Sequence, residues 1–163
     1  FAAYENTIMG TSHSKDLGIP GERIGFFAVS PKCKGSKEVF NAAVFVNRTL
    51  GFVNAPAIMQ RTVEKVQNEL IDLNWYKRKR DLLVSALISY GYELQIPGGA
   101  FYLFPKAPGG DDMAFVNALK AERVLVVPGA GFGMPGYFRI AYCVNDDRLK
   151  GALPAFEKVI NLF

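Results

Sequence analysis

TSHSKDLGIPGERIG, the stretch from Thr11 to Gly25, decides how the rest of the chain is interpreted. It places Lys15 among small hydroxyl residues, follows it with two glycines, and reaches Arg23 just before an apolar run. Glycine and proline at this spacing favour a tight turn rather than a core strand. We therefore predict a positively charged loop that leads into a strand over residues 24–29.

The side chains of this loop suit an aldehyde that carries a phosphate. A lysine amine is nucleophilic only when it is uncharged, and nearby positive charge such as that of Arg23 favours the uncharged form. The guanidinium of Arg23 and the hydroxyls of Ser12 and Ser14 can all donate to phosphate oxygens. Together these residues describe a pocket for pyridoxal phosphate. On composition alone, the alternative is a solvated loop with Lys15 and Arg23 on the surface.

The order of residues from Ser12 to Gly25, S-x-S-K-x-L-G-x-x-G-E-R-x-G, resembles the cofactor-lysine motif of the class I/II, aspartate-aminotransferase-like enzymes of fold type I. In that family the lysine holds pyridoxal 5'-phosphate as a Schiff base, and the serine three positions earlier and the arginine eight positions later hold its phosphate. The resemblance implies that Lys15 is catalytic and that Ser12 and Arg23 bind the cofactor. Ser14 also matches and is a further cofactor-binding candidate.

Composition and charge limit the other classes of function. The chain has 163 residues, of which 50% are hydrophobic and 13% aromatic, which is enough for a sizeable core and too apolar for disorder. Its net charge of +4 is only mildly basic. The one concentrated basic run, Lys77–Arg80, is interpreted as the solvated face of a helix. No nucleic-acid-binding pattern accompanies it, so no nucleic-acid partner is expected.

Cysteine and histidine usage argues against a metal site. Cys33 and Cys143 lie far apart, and His13 is the single histidine, so neither zinc spacing nor a disulfide framework is present. A reduced, cytoplasmic setting is expected. No apolar run approaches the roughly 20 residues of a membrane span, and no signal-peptide pattern is seen. The motif follows soon after Phe1, whereas a long stretch precedes the lysine in the resembling family, so we expect a carboxy-terminal fragment.

Hydrophobic periodicity predicts alternating helices and strands. Helices are predicted at about residues 37–50, 56–73, 74–90 and 112–122 and after residue 145. Strands are predicted at about residues 7–9, 24–29, 92–96, 100–104, 124–127 and 137–144. The expected caps are Asn54, Gly91, Asp111 or Asp112, and Asn145. Pro154 is expected to kink the last helix, because proline cannot donate to the preceding turn.

Arg139 lies in the middle of an apolar strand pattern. A charge there is costly unless it is paired, so an anion is expected to meet it, although a solvent-facing arginine on an edge strand is a local alternative. The run P-G-x-x-F-G-x-x-G-x-x-R, Pro128–Arg139, resembles the family's second motif, whose arginine binds the substrate α-carboxylate. The resemblance implies this substrate-binding role for Arg139. The glycine-rich part, Pro128–Gly133, has neither Walker nor dinucleotide spacing and is not interpreted as a phosphate cradle.

Three further segments match the family in part. Asn54-Ala55-Pro56 stands where the family has Asn-Pro-Pro at the start of the helix that links its two domains. Pro97–Pro105, PGGAFYLFP, resembles its small domain, and Phe101 and Tyr102 are candidates for lining the pocket. Arg48 lies near a substrate-binding arginine of some aspartate-specific members, but one position out of register, and is not assigned.

The resemblance implies an α/β fold, the carboxy-terminal part of the fold type I architecture. Residues 1–55 would end the large, cofactor-binding domain, and residues 56–163 would form the linking helix and the α+β small domain. The complete protein would be a homodimeric aminotransferase that moves an amino group between an amino acid and a 2-oxo acid. The fragment alone is expected to be inactive, because the family's other cofactor contacts precede the lysine. The alternatives are another fold type I enzyme (a decarboxylase, lyase or synthase) and a non-enzymatic aminotransferase-like sensor domain.

Overall fold

The chain folds into two compact units, the first ending at Ile71 and the second spanning Asp72–Phe163. The structure is a computed structural model and describes residues 3–163. The helices are α1 His13–Asp16, α2 Ser36–Thr49, α3 Ala57–Val66, α4 Leu73–Tyr90, α5 Asp112–Ala121 and α6 Asp146–Ile160. The strands are β1 Ile8–Ser12, β2 Gly25–Val29, β3 Tyr102–Leu103, β4 Val127–Pro128 and β5 Phe138–Ala141. The mixed α/β composition agrees with the prediction.

The first unit is built on an antiparallel pair, β1 and β2, in which Ser12 faces Gly25. The strands come very close at this point. A methyl group on Gly25 would meet the carbonyl oxygen of Thr11 and lie 2.9 Å from the Cα of Ser12. The close approach therefore requires glycine at position 25, and it places the end of β1 beside the start of β2.

Two helices follow β2, and the second differs from its prediction. Pro56, and not Asn54, occupies the N-cap position of α3, and no side chain caps it. The side chain of Gln60 instead donates to the carbonyl of Ala55 at 2.8 Å. Helix α3 ends at Val66. The next helix, α4, is capped by the carboxylate of Asp72, which accepts the N–H groups of its first turn at 2.9 and 3.1 Å.

Few residues of the first unit are buried. Among its described residues, only Ile24 and Ser30 fall in the buried class. Large apolar side chains on α2 and β2 remain exposed, including Phe26, Phe40 and Phe45.

The second unit holds the hydrophobic core. Its three-stranded antiparallel sheet has the order β3–β5–β4, so β5 is the central strand. The rings of Phe115, Phe138 and Phe156 surround that of Tyr92 at centroid distances of 6.0 to 6.1 Å. The hydroxyl of Tyr92 donates to the carbonyl of Phe156 at 2.8 Å. Burial of this hydroxyl raises the pKa of Tyr92 well above its ordinary value.

Helix ends in this unit follow the sequence signals. Gly91 ends α4 in the left-handed conformation with φ 99°, and Asn145 caps α6 by accepting from the N–H of Arg148 at 3.0 Å. Asp111, rather than Asp112, caps α5, accepting from the N–H of Ala114 at 2.9 Å. Helix α6 continues through Pro154 to Ile160.

Four strand predictions were wrong or too long, and those over residues 100–104 and 137–144 shorten to β3 and β5. The alternating pattern of residues 92–96 forms no strand, because Tyr92 turns into the core while the carbonyl of Glu93 accepts from Lys106 at 2.9 Å. β3 consequently pairs with β5 and not with the preceding segment. The predicted strand at residues 124–127 is reduced to β4, because the N–H of Val124 still donates to Leu119 at 3.0 Å and closes the end of α5.

The interpretation of the basic run Lys77–Arg80 as a solvated face was wrong for Lys79, which is 3% exposed. Its ammonium donates to the carbonyl of Val144, lies 3.3 Å from the carboxylate of Asp146, and sits 3.3 Å from the centre of the Trp75 ring. Burial is tolerated because the charge has three partners.

No helix within residues 3–163 has the length and apolar character needed to cross a membrane. Within the same residues, no group of three or more His, Cys, Asp and Glu side chains is arranged to hold a metal ion.

Candidate active site

The lysine loop begins where β1 ends. Ser12 has extended backbone angles, and its Oγ accepts from the N–H of Ser14 at 3.3 Å, which caps the single turn of α1. The two hydroxyl oxygens of Ser12 and Ser14 lie 2.8 Å apart. Lys15 is the next residue of this turn and its side chain is exposed. The local sequence thus places two hydroxyls and one amine on one helical turn.

Arg23 lies just before the second strand of the pair, β2. It follows the short 3-10 helix Pro20–Glu22 and adopts the left-handed conformation with φ 50°. Its Nη1 donates to the carbonyl of Pro20 at 2.9 Å. Because Ser12 faces Gly25 and the N–H of His13 donates to Ile24 at 3.0 Å, the backbone brings Arg23 to the same end of the strand pair as Ser12.

These residues fit the phosphate end of pyridoxal phosphate. Within residues 3–163, Arg23 forms no ion pair with a carboxylate. The hydroxyls of Ser12 and Ser14 and the guanidinium of Arg23 belong to residues at the end of one strand pair, and groups of these types suit a phosphate dianion. The backbone thus places Ser12, Ser14, Lys15 and Arg23 at one end of the β1–β2 pair.

A pair that sequence reasoning missed flanks the lysine. The Nδ1 of His13 lies 3.0 Å from the carboxylate of Asp16, and the N–H of Leu17 donates to the same carboxylate at 2.8 Å. Burial alone would raise the pKa of Asp16, but the hydrogen bonds from His13 and Leu17 outweigh it, and the pKa is lowered. The residues at positions 13 and 16 were visible in the motif, but it gives them no role.

Arg139, the fifth candidate, lies on β5 in the second unit. Its guanidinium carbon is 4.3 Å from the centre of the Phe132 ring and 4.6 Å from that of Tyr102. Its Nε is buried and has no hydrogen-bond partner within the described residues. An unpartnered buried donor is costly, so the arrangement suits an anion that arrives from outside the chain. The solvent-facing alternative does not describe this half-buried arginine.

The glycine-rich loop before β5 carries Phe132. The N–H of Gly129 donates to the carbonyl of Tyr137 at 2.7 Å, and a Cβ at position 129 would meet the carbonyls of Met134 and Tyr137. Gly133 closes the loop with φ 72°. Strand β5 follows it, as expected, and not a helix.

Asp112 was predicted at most as a helix cap, and the structure gives it another contact. It is 6% exposed, and its carboxylate accepts from the N–H of Ala130 in the glycine-rich loop at 2.9 Å. This hydrogen bond is the main cause of the lowered pKa of Asp112. The doubled aspartate before α5 was the only sequence signal for it.

The remaining candidates have simpler surroundings. Phe101 stacks on Tyr76 at 5.6 Å and packs against the core. Tyr102 contacts Arg139, which fits the predicted place in a binding pocket. Arg48 is exposed in the last turn of α2.

Comparison with known proteins identifies the family. A family model described as aminotransferase class I and II matches residues 1–156. An LL-diaminopimelate aminotransferase from Natranaerobius thermophilus is 33% identical, with 99% of this chain and 42% of that protein aligned. An aspartate aminotransferase from Pyrococcus horikoshii is 30% identical, with 97% of this chain and 42% of that protein aligned. The chain thus spans about two fifths of the length of these curated relatives.

Solved structures give the same result for the fold. An aminotransferase from Eubacterium rectale superposes with a TM-score of 0.89 at 42% identity, over 98% of this chain and 40% of that one. A Thermus thermophilus aspartate aminotransferase mutant, complexed with tryptophan, superposes with a TM-score of 0.84 at 28% identity, over 97% of this chain and 42% of that one. These matches confirm the predicted fold type I class over the part of the fold that the chain spans. The chain belongs to the class I and II aminotransferase family.

Proposed function

We propose that the protein carrying this chain is a pyridoxal-phosphate-dependent aminotransferase that moves an amino group between an amino acid and a 2-oxo acid. The observation that carries this proposal is the donor set of the lysine loop, in which the hydroxyls of Ser12 and Ser14 lie 2.8 Å apart on the turn that bears Lys15. Family membership supports the same activity.

Each residue of the loop has a distinct task. Ser12, Ser14 and Arg23 bind the phosphate through charge-assisted hydrogen bonds. Bound at Lys15, pyridoxal phosphate supplies an electron-withdrawing ring that stabilises negative charge at the substrate Cα. The Nζ of Lys15 would hold the cofactor, and as a free amine it could accept the Cα proton as a general base and return it as a general acid.

Arg139 binds the substrate α-carboxylate. Its planar guanidinium can donate two parallel hydrogen bonds to one carboxylate, and the unpartnered Nε is one of the available donors. Holding the carboxylate fixes the substrate so that the Cα–H bond can be reached, which converts binding free energy into orientation.

We further propose a cytoplasmic homodimer. Both cysteines, Cys33 and Cys143, are free thiols, which fits a reducing compartment. The exposed apolar side chains of α2 and β2 fit burial against further protein surface. The 163-residue chain alone is expected to show no turnover, because Lys15 is exposed and the first unit buries too little to exclude water from a site.

The test is the absorption spectrum of the protein carrying this chain, mixed with pyridoxal phosphate. The wild type and the control Lys37→Ala, an exposed lysine of α2, should both form a visible band that Lys15→Ala lacks. Adding an amino acid should bleach the band and release the matching 2-oxo acid. Release of carbon dioxide instead would indicate a decarboxylase. The absence of a band in all three proteins would overturn the proposal in favour of a non-enzymatic role.

A further inference from the structure

Asp112 has a buried carboxylate that forms a hydrogen bond with a segment outside its own helix. It stands beside Asp111 at the start of α5, yet the two aspartates have different partners. Asp111 accepts from the N–H of Ala114 in the first turn, which is ordinary helix capping. Asp112 accepts from the N–H of Ala130, eighteen residues further along the chain. With its pKa held below the usual range, Asp112 is ionised at neutral pH.

This contact links the glycine-rich loop to α5. Within the loop, hydrogen bonds join main-chain groups: the N–H of Gly133 donates to Ala130 at 3.1 Å, and that of Met134 to Gly129 at 3.0 Å. The carboxylate of Asp112 accepts from the N–H of Ala130 at 2.9 Å, and hydrogen bonds from Gly136 and Gly129 also contribute to its lowered pKa. A charged acceptor makes this hydrogen bond stronger than a neutral one.

Movement of the loop would change the surroundings of Arg139. Phe132 lies two residues after Ala130, and its ring centre is 4.3 Å from the guanidinium carbon of Arg139. The ring of Phe104 meets that of Phe132 edge to face, at 6.0 Å and 83°. The N–H of Gly129 would still hold the start of the loop to the carbonyl of Tyr137 at 2.7 Å. Loss of the contact at Ala130 would therefore free the segment after Gly129 and let Phe132 move away from the guanidinium. Among the ring contacts given for the described residues, that with Tyr102 would remain.

We propose that Asp112 is a positioning residue for the anion site of Arg139: by holding Ala130 it fixes Phe132 over the guanidinium, and so fixes the orientation in which Arg139 receives a carboxylate. That the carboxylate belongs to an amino-acid substrate rests on the proposed function. The effect on the loop and on the guanidinium does not.

The experiment compares Asp112→Asn and Asp112→Ala with Asp111→Asn. The control removes the same charge one residue away, and asparagine caps a helix about as well as aspartate does. In the 163-residue chain, the Nε–H resonance of Arg139 is followed by ¹⁵N NMR while acetate is added. Far-UV circular dichroism checks that each variant is folded. If Asp112→Ala does not fold, Asp112→Asn, which keeps the shape of the side chain, decides alone.

Wild type and Asp111→Asn should show an Arg139 resonance displaced by the ring current of Phe132, and it should shift with acetate. In Asp112→Asn the displacement should shrink and acetate binding should weaken about tenfold, the scale of one hydrogen bond to a charged group. In the active protein, KM for the amino donor should rise by a similar factor while kcat changes less, whereas simple loss of folded protein would lower the apparent kcat at constant KM.

The outcomes separate this inference from the proposed function. An unchanged Arg139 resonance and unchanged acetate affinity in a folded Asp112→Asn would overturn the positioning role. If the wild-type resonance is displaced by the ring but does not respond to acetate, the carboxylate-binding role of Arg139 fails, and with it the role of Asp112 in anion binding. In that case, a smaller displacement of the Arg139 resonance in Asp112→Asn would support only the claim that Asp112 fixes Phe132 over the guanidinium.

Discussion

Ser12 and Gly25 face each other across the β1–β2 pair so closely that residue 25 has no room for a side chain. The two ends of the lysine motif are therefore joined by a backbone contact. This contact explains why the last residue of the motif is glycine. The position of Ser12, and with it the turn that carries Lys15, depends on this close approach.

Substituting Gly25→Ala should destabilise the first unit by about 1–3 kcal/mol, the usual cost of forcing extra atoms into a packed place. The clash is with main chain, which cannot rotate away. Gly10→Ala on the opposite strand is the control, since nothing lies within 4 Å of the added methyl. Hydrogen exchange of the β1 amides measures the difference. Equal protection in the two variants would contradict the close approach.

Replacing Arg23 by glycine should favour the stability of the chain but weaken the binding of pyridoxal phosphate. A non-glycine residue in the left-handed conformation is strained, so Arg23→Gly should be more stable than Arg23→Ala by about 1 kcal/mol. Both variants lose the guanidinium and should bind pyridoxal phosphate at least about tenfold more weakly. Urea unfolding and absorption titration give the two quantities. Wild-type affinity in either variant would remove Arg23 from the phosphate site.

Lys79→Ala should destabilise the second unit by about 1–3 kcal/mol, because the carbonyl of Val144 then loses its donor. Lys77→Ala, in the same basic run but exposed, should change stability by less than about 0.5 kcal/mol. Thermal unfolding followed by the fluorescence of Trp75 measures both. If the two variants melt alike, Lys79 does not make the buried contacts that the structure assigns to it.

Alkaline stability should depend on Tyr92. In the folded chain its pKa lies well above the ordinary value of 10.0, so at high pH the unfolded chain loses this proton first, and ionisation favours unfolding. The stabilising contribution is complete below about pH 10 and falls as the pH rises beyond it. Tyr92→Phe should lose about 1 kcal/mol at neutral pH, because the hydrogen bond to Phe156 is gone.

Urea unfolding between about pH 8 and pH 11 checks this pH dependence. The wild type should lose more stability across that range than Tyr92→Phe does. Parallel curves for the two proteins would show that Tyr92 is not protected from ionisation in the folded chain.

Local signals in the sequence predicted much of this fold. α4, α5 and the start of α6 were placed to within a residue or two, because their apolar spacing and their caps, such as Gly91 and Asn145, act within one turn of the chain. The strand predicted at residues 92–96 failed because an alternating pattern records burial and not pairing. Tyr92 owes its burial to rings from three other elements.

Some residues in and around the candidate site could be predicted from the sequence, and others could not. Ser12, Lys15 and Arg23 could be named because they belong to one continuous motif, and Arg139 because it ends a second motif that resembles the family's. Lys79 and Asp112 could not, since their partners lie 65 and 18 residues away and only the folded chain brings them together. Each is the same residue type as an exposed neighbour in the chain, so the sequence alone does not distinguish it.

The anchoring of β5 has a consequence for the entropy of substrate binding. At the first residue of β5, the N–H of Phe138 donates to the carbonyl of Pro105 at 2.9 Å. Just after the strand, the N–H of Tyr142 donates to the carbonyl of Phe101 at 3.0 Å, and the ammonium of Lys79 donates to the carbonyl of Val144. Ordering one flexible residue costs on the order of 1–2 kcal/mol. The backbone of Arg139 has already lost that freedom on folding. A carboxylate that binds Arg139 therefore causes little further loss of backbone entropy, and more of the interaction free energy appears as affinity.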